Sequence, residues 1–306
     1  MSACTAGAGA PPRRPLTAII PTYNEEDNLP ACLESVAFAD EVLVVDSFSS
    51  DATVAIAKER GARVLQHEYG YSAMQKNWAI PQASHEWVLL VDADERVTAG
   101  MREEILALLR TTPTHDGYWI RRANYFLGRH IRHGGWESDR VIRLFRRDVS
   151  RYQERRVHAE IDLPGPLPTL RHPLEHHTFR SFDQYWHKLR LYSEWGAAQL
   201  HSEGRRTGPL QILGAPAVRF VKMYLLRLGF LEGVHGLVLS MLNAFTVYMK
   251  YARLWEMNLQ RDPEPVSPRL DAVEESGGCP VEAGVRPAGP PVVQPARRPP
   301  TSSARR

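Results

Sequence analysis

The chain has 306 residues, of which 43% are hydrophobic and 24% are charged, and its formal net charge at pH 7 is +3. This composition excludes a fibrous or largely disordered protein and is typical of one globular domain with appendages. The small net charge gives no reason to expect nucleic acid as a partner. Cys4, Cys32 and Cys279 are too far apart for a CxxC metal pair or a disulfide framework, which indicates a reducing compartment.

Composition divides the chain into four predicted parts. Residues 1–15 are a disordered leader without the basic-then-apolar order of a signal peptide, so export is not expected. Residues 16–200 are a globular domain, and residues 201–258 are a helical segment. Residues 259–306 are rich in Pro, Gly, Ser and Arg and are predicted to be a disordered tail.

Apolar runs alternate with helical patterns between residues 16 and 110. Strands are predicted at the short apolar runs 16–20, 42–45, 62–66 and 88–91. Helices are predicted from a cap at Asn24 or Asp27 to about residue 37, from a cap at Ser49, Ser50 or Asp51 to Gly61, and over residues 72–83 and 99–110. This alternation predicts a parallel α/β sheet with right-handed crossovers.

Two of these strands end in aspartate. The second strand ends at Asp46, and the fourth runs into Asp92, Ala93, Asp94 and Glu95. Ligands of open α/β sheets bind at the carboxyl ends of strands. If the segment stays extended, the two aspartates of the DxD point to the same side, where their oxygens suit Mg2+ or Mn2+ on a substrate phosphate. The alternative is a solvated acidic turn. The occurrence of aspartate at the ends of two predicted strands disfavours this alternative.

Neither GxGxxG after a strand nor GxxxxGK[ST] is present in the sequence. A nucleotide bound at this sheet would therefore be held by a metal and side chains. A nucleotidyltransferase would need a glycine- and lysine-rich loop after the first strand, and residues 21–26 contain neither. An enzyme acting on a nucleotide sugar therefore has two alternatives. One is a nucleotidyltransferase, and the other is a noncatalytic membrane-binding protein that retains an enzyme fold.

Three segments, each after a predicted strand, resemble glycosyltransferase family 2: residues 21–26 (PTYNEE), 45–51 (VDSFSSD) and 92–95 (DADE). The resemblance covers about residues 16–180 and implies the GT-A fold, a Rossmann-like, mostly parallel sheet with flanking helices. It also implies a nucleotide sugar donor, with UDP-glucose the expected one, and Mg2+ or Mn2+ as cofactor. The nucleotide pocket would be lined by Thr22, Tyr23, Glu25, Asp46 and Asp51. The metal would be held on Asp94 and Asp92, with Asp94 the direct ligand.

The segment between residues 121 and 156 is basic, with arginines outnumbering acids roughly three to one. Two interpretations remain open. One is a solvated basic face, and the other is a site for an anionic acceptor or diphosphate, because arginine forks match phosphate oxygens. Nucleic acid is disfavoured because the segment has no known recognition motif.

Residues 124–128 (NYFLG) and 136–147 are similar to the family's bacterial lipopolysaccharide-core branch, which includes enzymes that add glucose to core heptose. A transferase also needs a base within hydrogen-bond reach of the acceptor hydroxyl. The resemblance places this base here, with Asp139 the first choice and Glu137 the second. A salt bridge to a nearby arginine is the alternative role for either. The branch often has an acid directly after the residue matched by His158, whereas here the acid, Glu160, comes one position later.

His172, His176 and His177 lie close together in the sequence, beside Glu175. A zinc site is conceivable, but the spacing matches no standard zinc pattern. Structural roles or roles in the acceptor site are preferred for these histidines.

The stretch from residue 182 to 202 is predicted to be a helix with mixed aromatic and basic side chains, and residues 210–255 are mostly apolar with scattered cations. Residues 233–249 contain no charged side chain, which is short for a membrane span. Three interpretations remain open: a monotopic anchor on the membrane surface, a helical pair packed on the sheet domain, or a true span.

The sequence therefore predicts a metal-dependent, inverting glycosyltransferase that moves glucose from UDP-glucose to a membrane glycolipid such as lipopolysaccharide core. It would act at the cytoplasmic face of the inner membrane as a peripheral or monotopic protein, without a nucleic-acid partner.

Overall fold

The structure is a computed structural model that describes residues 13–153 and 160–261. Most of the predicted leader and tail therefore lies outside the described residues. The segment from Val157 to Ala159, at which the lipopolysaccharide-core resemblance was noted, lies outside them as well.

The first half of the domain alternates strands and helices, as predicted. The elements are β1 (Leu16–Thr22), α1 (Leu29–Ser35), β2 (Glu41–Asp46), α2 (Thr53–Glu59), β3 (Arg63–Gln66), α3 (Ser72–Ala79) and β4 (Trp87–Leu90). Strands β3, β2, β1 and β4 pair in this order and are parallel. The parallel prediction is confirmed for these strands, since each connection contains a helix that returns the chain to the same edge.

Helix starts were predicted less well than strands. The N-cap of α1 is Asn28, not Asn24 or Asp27, and α2 starts after Ala52. Asn24 instead has φ 52°, in the left-handed region, and lies in the loop between β1 and α1. The end of α2 is as expected, because Gly61 has φ +76°, a conformation that costs glycine no steric penalty.

The second half adds short strands and one long helix. These elements are β5 (Glu95–Val97), α4 (Ala99–Arg110), β6 (Gly117–Phe126), β7 (Arg129–His130), β8 (Arg140–Arg146), β9 (Arg151–Tyr152), β10 (Ile161–Asp162) and β11 (Leu174–Phe179). Strand β8 lies between β4 and β6 and is antiparallel to both, and β5 is antiparallel to β11. The α/β prediction is confirmed, and the complete sheet is mixed, because no helix connects β6 to β8 and antiparallel neighbours need no crossover.

Both faces of the sheet are covered. On one face Leu89, Met101 and Ile105 belong to a core that includes α1 and α4. On the other face Leu90 and Phe145 pack with residues of α3 and of β9 and β10. Strands buried on both faces explain the uninterrupted apolar runs in the sequence. A fully buried side chain such as Leu89 makes a large contribution, and Leu89→Ala should cost about 2–5 kcal/mol.

Three long helices follow the sheet: α5 (Phe182–Ser202), α6 (Pro209–Val221) and α7 (Gly233–Arg261). Helix α5 matches its predicted bounds and continues across the predicted boundary at residue 200. Leu239 of α7 is buried in a third core with Phe126, Phe179 and Tyr185. The stretch Gly229–Leu259 contains an 18-residue part with mean hydropathy 1.4, so by length and composition alone it could cross a membrane. Only 28% of that part is buried.

Candidate active site

Asp46 lies at the end of β2, directly beside Thr22 at the end of β1. Its carboxylate is fully buried. It accepts hydrogen bonds from the Thr22 hydroxyl (3.2 Å), the Ser49 amide (2.9 Å) and the Gln66 side chain (3.3 Å), and from the Ser49 hydroxyl. A buried carboxylate needs such partners. Asp46 therefore fixes the loop after β2, and direct contact of Asp46 with a nucleotide stays a prediction.

The loops after β1 and β2 are tied to each other. The Asn24 amide donates to the Ser49 hydroxyl (2.8 Å), and the Ser50 amide donates to the Asn24 side chain (2.8 Å). Asp51 accepts from the amides of Glu26 (3.1 Å) and Thr53 (3.0 Å). Burial opposes ionisation of Asp51, but these bonds lower its pKa below the usual range. Asp51 thus holds the two loops at the start of α2.

Two aromatic side chains project from these loops. Tyr23 is 59% exposed, and Phe48, which sequence analysis did not single out, is 55% exposed. Phe48 has φ 58°, in the left-handed region, which is uncommon for a bulky residue. Glu25 lies below them and accepts from the Asn28 side chain (2.7 Å). Burial raises the pKa of Glu25.

The DxD segment forms a turn and not the extended segment that was predicted. The Glu95 amide donates to the Asp92 carbonyl (2.8 Å). The Asp92 carboxylate pairs with Lys76 (2.9 Å) and with Arg143. The expectation of an extended DxD segment is therefore wrong, while the assignment of Asp92 and Asp94 as metal ligands stays a prediction.

Asp94 has a separate set of partners. Its carboxylate lies 3.6 Å from His176 Nε2 and 3.5 Å from Lys188 Nζ. Burial alone would raise the pKa of Asp94, but His176 and Lys188 hold it well below the usual range. Asp94 is therefore an ionised carboxylate next to an imidazole nitrogen at the carboxyl end of the parallel strands.

Glu95 is fully buried and lies beneath this turn. It accepts from Arg143 (2.8 Å), from the Asp92 amide (3.0 Å) and, more weakly, from Arg122 (3.4 Å). Although burial opposes the charge of Arg143, Asp92 and Glu95 raise the pKa of its guanidinium. Glu95 thus has a structural role as the counter-ion of two arginines.

Asp139 is held by Arg122 and Asn124. The Arg122 fork donates through Nε to Oδ2 (2.9 Å) and through Nη2 to Oδ1 (3.0 Å), and the Asn124 amide donates to Oδ2 (2.9 Å). Burial would raise the pKa of Asp139, but these contacts lower it. The expected salt bridge exists, and it keeps this carboxylate ionised.

A line of polar contacts joins Asp139 to Asp94. The Asn124 side chain donates to Asp139 with its nitrogen, so its oxygen is free to accept from His176 Nδ1 at 2.6 Å. Asn124 and His176 are register partners on β6 and β11. Nδ1 of His176 donates to Asn124, and the other ring nitrogen, Nε2, lies 3.6 Å from the Asp94 carboxylate.

Glu137 has a different environment. Its side chain is 45% exposed. It accepts from the Gly135 amide (2.8 Å) and lies 3.8 Å from Arg227. Glu137 is thus accessible to solvent and adjacent to the helical segment. Glu160, on the surface, stays without an assigned role.

The three histidines do not form a metal cluster. His177 stacks on Tyr125 with 4.8 Å between ring centroids, and the His172 amide donates to Glu104 (3.0 Å). Within the described ranges no three His, Cys, Asp or Glu side chains converge on one point. The zinc alternative is not supported, and His176 belongs to the polar site.

The donor set next to Asp94 fits a divalent cation that shares its ligands with a substrate. Mg2+ and Mn2+ commonly bind one or two carboxylates together with substrate phosphates. A ligating histidine donates its other ring N–H to a second group, as His176 does to Asn124. Asp92 fits this role less well, because Lys76 and Arg143 already neutralise it.

Several residues of this site were not identified from the sequence as functional. They are Lys76, Arg122, Asn124, Arg143 and Lys188, whereas His176 was expected to have a structural role or a role in the acceptor site. These residues come from α3, β6, β8, β11 and α5, and no short motif connects them. The sequence signal for the arginines of this site was the excess of arginines between residues 121 and 156, which does not specify the partner of each arginine.

A mixed sheet with an acidic site at the carboxyl ends of β1, β2 and β4 has the architecture expected of the GT-A class of glycosyltransferase. The model of Glycosyl transferase family 2 matches residues 17–165. The chain is 30% identical over 255 residues to the lipopolysaccharide core biosynthesis glycosyltransferase LpsC of Rhizobium meliloti (strain 1021), covering 79% of this chain and 94% of that protein. The chain belongs to glycosyltransferase family 2 and is a glycosyltransferase.

An uncharacterized glycosyltransferase of Rickettsia bellii (strain RML369-C) is 27% identical over 265 residues, covering 81% of this chain and 88% of that protein. A solved structure of glucosyl-3-phosphoglycerate synthase from Mycobacterium tuberculosis with Mn2+, UDP and glucosyl-3-phosphoglycerate is 20% identical, with a TM-score of 0.31. The similarity covers 37% of this chain and 44% of that chain, which is less than half of either.

Family membership excludes the nucleotidyltransferase alternative.

Proposed function

We propose that this glycosyltransferase uses a divalent cation to transfer glucose from UDP-glucose to a membrane glycolipid of the lipopolysaccharide core type, with inversion at the anomeric carbon. The observation that supports this most is the line of contacts from Asp139 through Asn124 and His176 to Asp94. It joins a candidate base to a candidate diphosphate site within one polar cluster.

The donor would bind across the ends of β1, β2 and β4. Tyr23 and Phe48 offer exposed rings on which a nucleobase can stack. Asp94 and His176 would hold the cation, which neutralises charge on the departing diphosphate when it is bound. Lys188 lies next to Asp94 and would contribute a further positive charge to the same phosphate groups.

Asp139 would accept the proton of the acceptor hydroxyl. An ionised carboxylate has about four acceptor positions, and Arg122 and Asn124 occupy three of those of Asp139. One position on Oδ1 is left for the hydroxyl. As the proton moves to Asp139, the acceptor oxygen bonds to the anomeric carbon and the bond to the diphosphate breaks on the opposite face.

The acceptor assignment rests on similarity to LpsC and on the helical segment. LpsC is described as a lipopolysaccharide core biosynthesis glycosyltransferase. A saccharide attached to a lipid is presented at a membrane surface, so its transferase benefits from a surface that binds the bilayer.

The turn between α6 and α7 supports membrane binding. We call residues 225–231 the apolar tip. It exposes Leu225, Leu226, Leu228, Phe230 and Leu231. Between Glu203 and Glu256 the only acid is Glu232, which is buried, while seven arginines and lysines are present. An apolar surface with a cationic border suits the cytoplasmic face of an anionic bilayer.

We propose a monotopic anchor and not a span. One side of α7 packs through Leu239 on the third core of the domain, and a helix committed to that contact cannot be surrounded by lipid. The opposite side exposes Val234, Met241 and Trp255. A helix with one side on the protein and the other on lipid lies at the membrane surface.

The apolar tip is bonded to the loop that precedes Asp139. The Gly134 amide donates to the Arg227 carbonyl (2.7 Å). Buried Glu232 accepts from the Arg132 amide (2.9 Å) and from His133 (2.7 Å). Membrane contact at the tip would therefore place the candidate base close to a lipid-linked saccharide.

Donor binding tests the core of this proposal. The melting temperature should rise when UDP-glucose and Mn2+ are added together, because a ligand of the native state stabilises it. The rise should be lost in Asp94→Ala and kept in Asp148→Ala, since Asp148 is exposed and its ion pair is with the neighbouring Arg147. No rise for the wild-type protein with any of a panel of nucleotide sugars would contradict the proposal.

A further inference from the structure

A second cleft lies beside the loop that contains Asp139. It is lined by Arg121 of β6, Arg140 of β8, Arg171, Thr169, Ser138 and Glu137. Its volume is about 410 Å³, in the range of small-ligand sites. Three of its six lining side chains are arginines, and one is an acid.

These three arginines differ from other arginines of β6 and β8. Arg122, Arg143 and Arg146 each pair with at least one carboxylate. Within residues 13–153 and 160–261, no carboxylate forms an ion pair with Arg121, Arg140 or Arg171. Glu137 contributes one carboxylate to the lining against three arginines, so the described lining of the cleft has an excess of positive charge.

The other contacts of these arginines leave their charges in place. Arg121 donates to the Arg171 carbonyl (2.9 Å), and the Arg140 guanidinium lies over the Trp119 ring, 4.6 Å from its centroid. Stacking on an aromatic ring leaves the guanidinium edge free to donate. Arg121 and Arg140 are thus held in place by neutral groups, whereas the Arg171 backbone amide donates to the Glu104 carboxylate (2.9 Å).

Arg121 and Arg140 are also direct partners across the antiparallel pair β6 and β8. Like charges at directly opposite positions destabilise a sheet. An anion between the two guanidiniums would convert this repulsion into attraction, and guanidinium forks match the oxygens of phosphate and carboxylate groups.

The cleft is separate from the proposed donor site. Successive side chains of a strand point to opposite faces, so Arg121 points away from Arg122, which binds Asp139. Ser138 and Arg140 line the cleft, and Asp139 lies between them in the chain. The cleft and the candidate base thus lie on the two sides of one short segment, residues 138–140.

We propose that this cleft binds an anionic group of the acceptor saccharide, either a phosphate or a sugar-acid carboxylate. The identification of the ligand as acceptor rests on the proposed transferase function. Binding of the anion would position the saccharide at the segment of Glu137 and Asp139 and select charged acceptors over neutral ones.

Titration calorimetry with glucose 6-phosphate, glucuronate and glucose tests the cleft directly. Both anions should bind more tightly than glucose, and the tighter of the two identifies the source of the anion. The triple variant Arg121→Gln, Arg140→Gln and Arg171→Gln should weaken anion binding by at least about tenfold, because it removes charge-assisted hydrogen bonds. Anions that bind no more tightly than glucose would overturn the proposal.

A matched control removes the same charge elsewhere. The triple variant Arg60→Gln, Arg102→Gln and Arg110→Gln changes three exposed arginines outside the cleft and should leave anion binding unchanged. Equal loss in both triple variants would mean that only net charge matters, which overturns the proposal. Single Arg171→Gln, which alters no strand, gives the same test if the triple cleft variant fails to fold.

The cleft and the donor site can fail independently. UDP-glucose binding with Mn2+ should persist in the triple cleft variant, since no donor residue is changed. Anion binding that depends on the cleft without any donor binding would refute the proposed function and keep the cleft as an anion site. Donor binding with anion affinities equal in wild type and cleft variant would refute the cleft alone.

Discussion

The polar site and the helical segment differ in whether other parts of the protein compensate their energetically unfavourable groups, which are buried carboxylates in the site and exposed apolar side chains in the helices. In the polar site, Asp46, Asp92, Glu95 and Asp139 each have protein partners, and two of the cations beside them, Lys76 and Arg143, are buried as well. In the helical segment, large apolar side chains such as Leu226 and Val234 have no protein cover and are 74% and 73% exposed.

This difference separates a site that is assembled by the fold from a surface that is left uncovered by the described residues. Buried charges are tolerated only when they are paired, so the site is organised before any ligand binds. Exposed apolar groups gain free energy when they leave water, so covering the helical segment, as the proposed membrane contact would do, is favourable.

The largest effect is expected at Asp139. Asp139→Asn should reduce transfer by about 10²–10⁴-fold, the usual contribution of a general base. The protein should remain folded, because the amide still accepts from Arg122. Steady-state transfer assays check this, with Glu137→Gln as the comparison. A larger loss in Glu137→Gln than in Asp139→Asn would move the base to Glu137.

Asp92 should matter for folding more than a surface acid does. Lys76 and Arg143 have side chains only 9% and 4% exposed. Asp92→Asn replaces the charged partner of Lys76 by a neutral amide and should lower the free energy of unfolding by about 3 kcal/mol, because the buried charge of Lys76 loses its counter-ion. Urea denaturation of the variant and of exposed Asp148→Asn measures the difference. Equal stabilities would show that Asp92 is free for a ligand.

The apolar tip can be tested without activity. The double variant Leu226→Ser and Leu231→Ser should weaken sedimentation with phosphatidylglycerol vesicles by about a hundredfold, given about 1.5–3 kcal/mol for a fully buried leucine. Val149→Ser, at a half-exposed apolar position outside the segment of α5, α6 and α7, should bind as the wild type does. Unchanged binding of the tip variant would exclude the tip as the lipid contact.

The smallest expected effect is a shift in pH dependence. Arg122 lowers the pKa of Asp139 against the effect of burial, so Arg122→Gln should raise it. Asp139 is an active base only when ionised, and activity is therefore lost as the pH falls through this pKa. The acid limb of the pH profile of kcat/KM should move to higher pH in the variant by roughly one unit. An unmoved limb would show that another group limits activity at low pH.

The same sign holds for stability. A carboxyl group with a lowered pKa in the folded state stabilises the fold above its unfolded pKa, and this contribution is lost as the pH falls through the folded pKa. Asp94 and Asp139 both belong to this class. The folded protein should therefore lose stability in acid.

Much of the fold could be predicted because local patterns determine it. The apolar runs of β1, β2 and β4 and the helical spacing of α4 and α5 gave nearly the bounds that the structure has. Helix starts such as that of α1 were displaced, because Asn24 bonds to Ser49 and Ser50 of the neighbouring loop. Local propensity contains no information on such a contact.

The sequence by itself determined the α/β class, the carboxyl-end positions of Asp46 and Asp94, the family and the presence of an apolar basic segment, since these follow from periodicity and short motifs. Only the tertiary structure decided which partners each charge has. It assigned Asp92 to Lys76 and Arg143 and joined Asp139 to Asp94 through Asn124 and His176. Among the described residues it gave Arg121, Arg140 and Arg171 no ion pair with a carboxylate. Pairing depends on distance in space between strands that are remote in the chain, and sequence spacing does not specify that distance.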